Sequence, residues 1–277
     1  MKMKNMSLLM AWMLLALLVQ TGCDSTGNDP EGSITEDAAE SVSVDLSTET
    51  AGLLAQFCDV SLLASDEAFD TSVFDSFDHT YDPATGSWTL SFSRAVNSVS
   101  GLSSGRYMRA YTYQYLDASG APQQYYISDG DTAQTITFKI HEGTGQIATP
   151  RLSQGLTAMS ADWVVTNANQ EVLTLNGSYD ITTASTLTTA GAERVLTETK
   201  TYIVRDVTIP RASCFDLDDA VTGTIEGTYA GNVTFTRGML YSEQSLTAEV
   251  FIEFVDGIAF IALGDVTYES DLDTGGL

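Results

Sequence analysis

A regular alternation of apolar and polar residues near the end of the chain most constrains its fold. Every second residue from Leu246 to Phe254 is apolar, and three of the four residues between them are polar. Side chains of a β-strand point alternately to its two faces, so this pattern predicts a strand with one buried face. Asp256 and Gly257 separate this strand from the apolar residues 258–263, and an Asp-Gly pair favours a two-residue hairpin turn. The segment therefore predicts an antiparallel hairpin.

Similar segments, separated by turn residues, recur from residue 74 onward. The candidate strands are residues 77–81, 88–92, 107–116, 134–141, 162–166, 171–179 and 195–209. A meander of many strands must close on itself or stack to protect its edges. We therefore expect an all-β, mostly antiparallel fold, either an open barrel or a two-sheet sandwich. The apolar spacing of residues 48–65 predicts a short N-terminal helix whose apolar face packs on the domain.

The first residues of the chain have the features of an export signal. Lys2 and Lys4 supply positive charge, and residues 8–19 form an unbroken apolar run of twelve residues. At 1.5 Å per residue, a helix of this length is too short to span a bilayer core of about 30 Å. The pattern predicts a signal peptide, residues 1–22, that is removed during export.

The signal ends in Gln20-Thr21-Gly22-Cys23. Small residues directly before a cysteine resemble the lipobox of bacterial lipoproteins, with Gln20 where that family usually has leucine. The resemblance implies that Cys23 receives a thioether-linked diacylglycerol and becomes the new N-terminus. The protein would then be anchored by lipid in the cell envelope, outside the cytoplasm. The alternative is an ordinary secretory signal with an incidental cysteine.

Two further resemblances concern location. Asp24 resembles the signal that retains some lipoproteins in the inner membrane, a rule that varies among bacteria, so the choice of membrane stays open. Residues 214–273 resemble the C-terminal part of uncharacterised β-rich envelope lipoproteins through turn glycines and alternating apolar positions. That group has no established activity, so the resemblance implies only fold and location.

The chain is strongly acidic. Its 12 basic residues less Lys2 and Lys4 leave 10 against 37 acidic ones, a formal net charge of −27 after signal removal. Phosphate backbones are bound by clustered cations, so nucleic acid is excluded as an expected partner. The acidity indicates either capture of cations or a basic partner, or solubility in a salty environment.

Composition divides the rest of the chain into two parts. Residues 23–46 are rich in Ser, Thr, Gly, Asp and Glu and predict an acidic tether. Residues 47–277 predict a single β-rich domain with its N-terminal helix. With Cys23 lipidated, Cys58 and Cys214 remain, either as a disulfide or as two buried free thiols.

The sequence offers little for catalysis. His79 and His141 are its only histidines, and it has no HExxH, GxSxG, CxxC or Walker pattern. We therefore expect a non-enzymatic protein without a cofactor. A hydrolase with a hidden site would require one of these histidines buried beside a carboxylate and a nucleophile.

A weak calcium site is the one metal site that the sequence suggests. Asp216, Asp218 and Asp219 place hard oxygen ligands within four residues. Calcium takes six to eight oxygens, so this cluster supplies only part of a site. The alternative is a turn with solvated carboxylates.

A stripe of tyrosines is the strongest candidate for ligand contact. Its members share one face of a predicted strand and are Tyr107, Arg109, Tyr111, Tyr113 and Tyr115. Aromatic rings with a polar rim stack on sugars or line an apolar groove, but they also form the half-buried face of many sheets. We therefore expect a lipid-anchored envelope protein that binds an apolar ligand, a glycan or an envelope partner. The alternative is a structural or adhesin-like interaction module.

Overall fold

Long antiparallel strands make up most of the fold. The computed structural model describes residues 34–65, 74–98, 101, 103–189, 192–212, 214 and 217–277. The strands are β1 (Ser76–Asp82), β2 (Ser87–Asn97), β3 (Ser104–Leu116), β4 (Pro122–Gln123), β5 (Ile127–Ser128), β6 (Asp131–Thr132), β7 (Thr135–Ala148), β8 (Leu152–Thr166), β9 (Val172–Thr189), β10 (Ala192–Pro210), β11 (Thr222–Arg237), β12 (Leu240–Val255), β13 (Ile258–Leu263) and β14 (Val266–Asp271). The helices are α1 (Ile34–Leu46), α2 (Leu53–Leu63) and α3 (Leu217–Ala220).

The strands form one large open sheet. Among the described residues its order is β1-β2-β3-β7-β8-β9-β10-β11-β12-β13-β14, with the short β4 beside β3, while β5 and β6 pair separately. The pairs along this path are antiparallel, and β1 and β14 form its two ends. The expected all-β, mostly antiparallel class is confirmed. The long strands belong to a single continuous, unclosed sheet, as the open-barrel alternative requires.

The predicted C-terminal hairpin is confirmed. Val255 pairs with Ile258, and the two turn residues Asp256 and Gly257 have positive φ angles of 49° and 81°. This is the backbone of a two-residue turn that favours Asp-Gly, because glycine tolerates positive φ without a steric penalty. The inward residues of β12 are buried at its second half, whereas Phe251 on the outer face is exposed.

Helix α1 packs against the inner, buried face of the sheet. The sequence predicts a tether for these residues instead. All its residues from Asp37 to Leu46 are buried, and it bonds to strands far apart in the sheet. Ser41 donates to Glu198 of β10, and Ser43 bonds to Ser270 of β14. The described residues from Ile34 onward belong to one compact unit, so the tether prediction is wrong for residues 34–46. The remaining tether residues, the signal peptide and Cys23 lie outside the described residues.

Helix α2 confirms the predicted N-terminal helix. It packs on the inner face of the sheet at β3 and β8. Phe57 packs edge-on against Trp163 of β8, with ring centroids 5.4 Å apart. Cys58 forms a disulfide with Cys214, their Cα atoms 5.1 Å apart, so the structure has the disulfide rather than two free thiols. None of the described helices is long and apolar enough to cross a membrane.

Candidate functional site

The tyrosine stripe of β3 is buried beneath α2. Each of its five side chains is at most 7% exposed. The hydroxyl of Tyr111 lies 2.5 Å from Gln56 Oε1 and 2.7 Å from Asp59 Oδ2, both on α2. Tyr115 donates to the carbonyl of Leu63, at 2.9 Å. The predicted ligand-binding face, Tyr107, Arg109, Tyr111, Tyr113 and Tyr115, is therefore corrected to a buried core surface, with Tyr111 and Tyr115 bonded to α2.

On the same face of the sheet, side chains of the neighbouring strands β2 and β1 are accessible to solvent. Strand pairing places Trp88 of β2 opposite Tyr113 and also opposite Tyr81 of β1, at the edge of the sheet. The ring of Trp88 lies 5.0 Å from that of Tyr81 and 6.2 Å from that of Tyr125. Tyr81 and Trp88 are half-buried, and Tyr125 is 54% exposed. We call Tyr81, Trp88 and Tyr125 the edge aromatic cluster.

Local hydrogen bonds fix the orientation of these rings. Trp88 Nε1 donates to the carbonyl of Gln124 at 2.6 Å, which holds the segment after β4 against β2. Gln124 Nε2 donates in turn to the Tyr125 hydroxyl at 3.1 Å. An aromatic group held in this way needs little reordering when a solute stacks on it.

The turn between β1 and β2, which directly follows Tyr81, is held by its own hydrogen bonds. The carboxylate of Asp82 accepts the backbone N–H of Ala84 and the hydroxyl of Thr85, each at 2.9 Å. The Ala84 hydrogen bond and that of Thr85 lower the pKa of Asp82, so its carboxylate is ionised at neutral pH. Accessible aromatic rings with the side-chain amide of Gln124 beside them match the chemistry of a sugar, which has apolar C–H faces and a ring of hydroxyls.

The two histidines lie in different surroundings. His79 stacks on Trp88 with ring centroids 4.3 Å apart, and its Nε2 is 2.7 Å from the Tyr113 hydroxyl. Burial lowers the pKa of His79, which favours a neutral ring at pH 7. His141 is exposed, and its Nε2 is 2.7 Å from Thr112 Oγ1. These hydroxyl contacts orient the two rings.

A buried polar cluster, missed in the sequence, joins α1 to β9 and β10. Lys200 is fully buried, and its ammonium bonds to Asp45 and, at 2.6 Å, to Glu198. It also donates to Ser41 Oγ at 2.7 Å, and Ser41 in turn donates to Glu198 at 2.5 Å. We call Ser41, Asp45, Glu198 and Lys200 the Lys200 cluster. The alternation of residues along β10 could have revealed this cluster. Glu198 and Lys200 alternate with exposed threonines and therefore share the buried face of the strand.

The Lys200 cluster does not have the chemistry of a serine nucleophile activated by lysine. Such a lysine must be neutral to accept the serine proton. Burial alone would lower the pKa of Lys200, but the carboxylates of Asp45 and Glu198 outweigh it and raise that pKa. The ammonium is therefore a donor to Ser41 and holds α1 in place.

Stability should increase in mild acid because two buried carboxylates of α1 titrate near pH 6. Burial raises the pKa of Asp37 and that of Asp45 from 3.8 to about 6 each, against the opposing effects of Arg194 and Lys200. Between pH 6 and the ordinary pKa of 3.8, these two carboxyl groups bind protons in the folded state and release them in the unfolded chain. The free energy of unfolding therefore rises as the pH falls through this range. We expect the urea midpoint to be higher near pH 5 than near pH 7, at constant high salt.

The matched control is the Asp37→Asn/Asp45→Asn variant, which removes both titrations and should show a flatter pH dependence. A wild-type midpoint that decreases from pH 7 to pH 5 would contradict the assignment. High salt is needed because it screens the repulsion among surface carboxylates, which also weakens in acid.

The calcium candidates lie around α3. Asp218 and Asp219 form its first turn, where Asp219 is exposed, and burial raises the pKa of Asp218. Asp216 lies outside the described residues. In the part of the chain that the structure describes, no group of three or more acidic, histidine or cysteine residues is placed to hold a metal ion. The calcium site stays a prediction.

Two groups of functional interest thus lie on the inner face of the sheet. The Lys200 cluster is inaccessible, whereas the edge aromatic cluster presents rings that a solute can reach. Comparison of the chain with known protein families, curated proteins and solved structures finds no match.

Proposed function

We propose that this protein is a lipid-anchored protein of the bacterial cell envelope that binds a glycan, without catalysis, through the edge aromatic cluster. The observation that carries the proposal is the accessible grouping of Tyr81, Trp88 and Tyr125, with the Gln124 amide bonded to the Tyr125 hydroxyl. Of the three ligand classes expected from the sequence, an apolar molecule is least supported, because α1 and α2 occupy the inner face that would enclose it.

Two features support the proposed location. The lipobox-like residues 20–23 imply a lipid on Cys23, and the Cys58–Cys214 disulfide fits an oxidising compartment outside the cytoplasm. The diacylglycerol supplies two acyl chains, which give a stable anchor where one chain alone binds reversibly. Inner and outer membranes both remain open.

The alternative function is a structural or adhesin-like interaction module. The burial of α1 and α2 on the inner face favours it, because the surface of the described domain is then what a partner would contact. In that case the edge aromatic cluster would contact a protein rather than a sugar.

Glycan binding should depend on the edge aromatic cluster. Removal of one stacking ring is expected to weaken binding about tenfold, the effect of one aromatic contact of about 1.4 kcal/mol. We would screen the purified full chain on an array of bacterial oligosaccharides and measure the best glycan by calorimetry with Trp88→Ala and Tyr125→Ala. Tyr125→Ala matters most, because that side chain is more than half exposed and its loss should leave the fold intact.

The matched control is Phe251→Ala, which removes another exposed aromatic ring from the outer face of β12. It should bind like the wild type. Absence of glycan binding by the wild type, or equal binding by Tyr125→Ala and Phe251→Ala, would overturn the glycan proposal and favour the interaction module. Lipid on the N-terminal peptide, measured by mass spectrometry with Cys23→Ser as control, tests the anchor separately.

A further inference from the structure

The turn between β11 and β12 presents unusual residues to solvent. Arg237 pairs with Leu240 across a turn of Gly238 and Met239, where Gly238 has a positive φ of 61°. Met239 is fully exposed, Leu240 is 57% exposed and Tyr241 is 66% exposed. Turns of this kind normally carry small polar residues, and single exposed apolar residues are common, but three consecutive large ones indicate a contact surface. We call residues 237–241 the hairpin tip.

The hairpin tip lies at the end of the sheet where the described chain begins. Ile34, the first residue of α1, packs beside Val233 of β11, and a shallow depression there also includes Phe235. Arg194 closes this region by pairing with Asp37 at 2.9 Å. Met239 follows Phe235 by four residues, so at about 3.3 Å per residue the tip extends roughly 13 Å beyond this point.

The length of chain before α1 limits how far the folded domain can lie from the lipid. Ten residues, 24–33, separate Cys23 from Ile34. Even fully extended, this stretch spans at most about 40 Å. The opposite end of the sheet, where Val255 and Ile258 flank the next turn, is roughly 36 Å along β12 from Gln244, which borders the same depression. The hairpin tip therefore lies at the end of the sheet from which the stretch to Cys23 departs.

We propose that the hairpin tip is a second membrane contact, in which Met239 and Leu240 enter the boundary between headgroups and acyl chains of the bilayer that holds the Cys23 lipid. The proposal rests on the lipid anchor of the proposed function. Tyrosine is favoured at this depth, because its ring is apolar and its hydroxyl reaches water. Arg237 is the only charged residue of the tip in a strongly acidic chain, and it favours anionic headgroups.

The hairpin tip would set the orientation of the domain on the membrane, whereas the lipid on Cys23 would attach it. Three partly inserted side chains bind a membrane only weakly by themselves, whereas the lipid already holds the domain at the surface, so the second contact acts at high effective concentration. Two points of contact restrict rotation about the anchor.

The experiment places a fluorescent probe at each end of β12. The full-length, lipidated protein with Tyr241→Trp, and the matched protein with Ile258→Trp, are reconstituted in vesicles of phosphatidylethanolamine and phosphatidylglycerol. Vesicles with and without lipids brominated in their acyl chains are compared, and emission of the parent protein is subtracted. We expect the added emission of Tyr241→Trp to shift to shorter wavelength and to be quenched by bromolipid. Ile258→Trp should show neither change.

Each result decides a separate question. A protein that floats with vesicles but whose Tyr241→Trp emission is not quenched overturns the membrane contact and leaves the anchor in place. A protein that does not float contradicts the anchor itself. A concentration-dependent emission shift without vesicles would show that the tip binds a second copy of the chain, which also overturns the proposal. Adding Met239→Ser and Leu240→Ser to Tyr241→Trp should reduce the quenching.

Discussion

Replacement of Lys200 by methionine is expected to lower the free energy of unfolding by about 3–5 kcal/mol, because breaking a buried ion pair leaves an uncompensated buried charge. Lys200 is fully buried and is the cation that faces both Asp45 and Glu198. Methionine fills a similar volume, so the loss reports mainly the two unpaired carboxylates and the missing hydrogen bond to Ser41. Urea unfolding followed by circular dichroism measures it.

Lys139→Met is the matched control, because Lys139 and Lys200 are the two lysines that follow residue 4. It pairs with Asp162 at 2.7 Å, but both side chains are more than half exposed. Exposed pairs contribute about 0–1 kcal/mol, so this variant should unfold almost like the wild type. Equal effects of the two substitutions would show that the Lys200 cluster does not hold α1.

Loss of the disulfide is expected to cost about 2–5 kcal/mol of unfolding free energy. Cys58 and Cys214 are separated by 156 residues, so the bond removes much of the conformational freedom of the unfolded chain. The measurement is guanidinium unfolding of the Cys58→Ser/Cys214→Ser variant against the wild type. A reductant should lower the wild-type midpoint and leave the double variant unchanged. A wild type shown by mass spectrometry to be reduced, yet equally stable, would contradict the prediction.

The sheet could be predicted because its signals are local. Residues 246–254 alternate, and Asp256 and Gly257 have the residue types that their positive φ angles require, so neither strand nor turn depends on distant contacts. The position of the tyrosine stripe on one face of β3 is also local. The covering of that face by Gln56 and Asp59 of α2 is not, since these residues precede Tyr111 by more than fifty positions.

Helix α1 was not predicted, for a related reason. Its small and acidic residues have the composition of a solvated spacer, and their burial depends on cations supplied by β10. Arg194 and Lys200 reach Asp37 and Asp45 across more than 150 residues of sequence. The charged residues on the buried face of β10 indicate that something polar must lie opposite them, but they do not identify it. The edge aromatic cluster was missed because it is assembled from β1, β2 and the segment after β4.

The enclosure of α1 has a consequence for the order in which the domain is completed. Neighbours in the sheet are mostly consecutive in the chain, so the strands can assemble hairpin by hairpin as they emerge. Helix α1, however, also bonds through Ser43 to Ser270, which lies 227 positions later. The first helix of the described chain is therefore fully enclosed only when its last strand forms, and a chain without β14 would leave Ser43 without this buried partner.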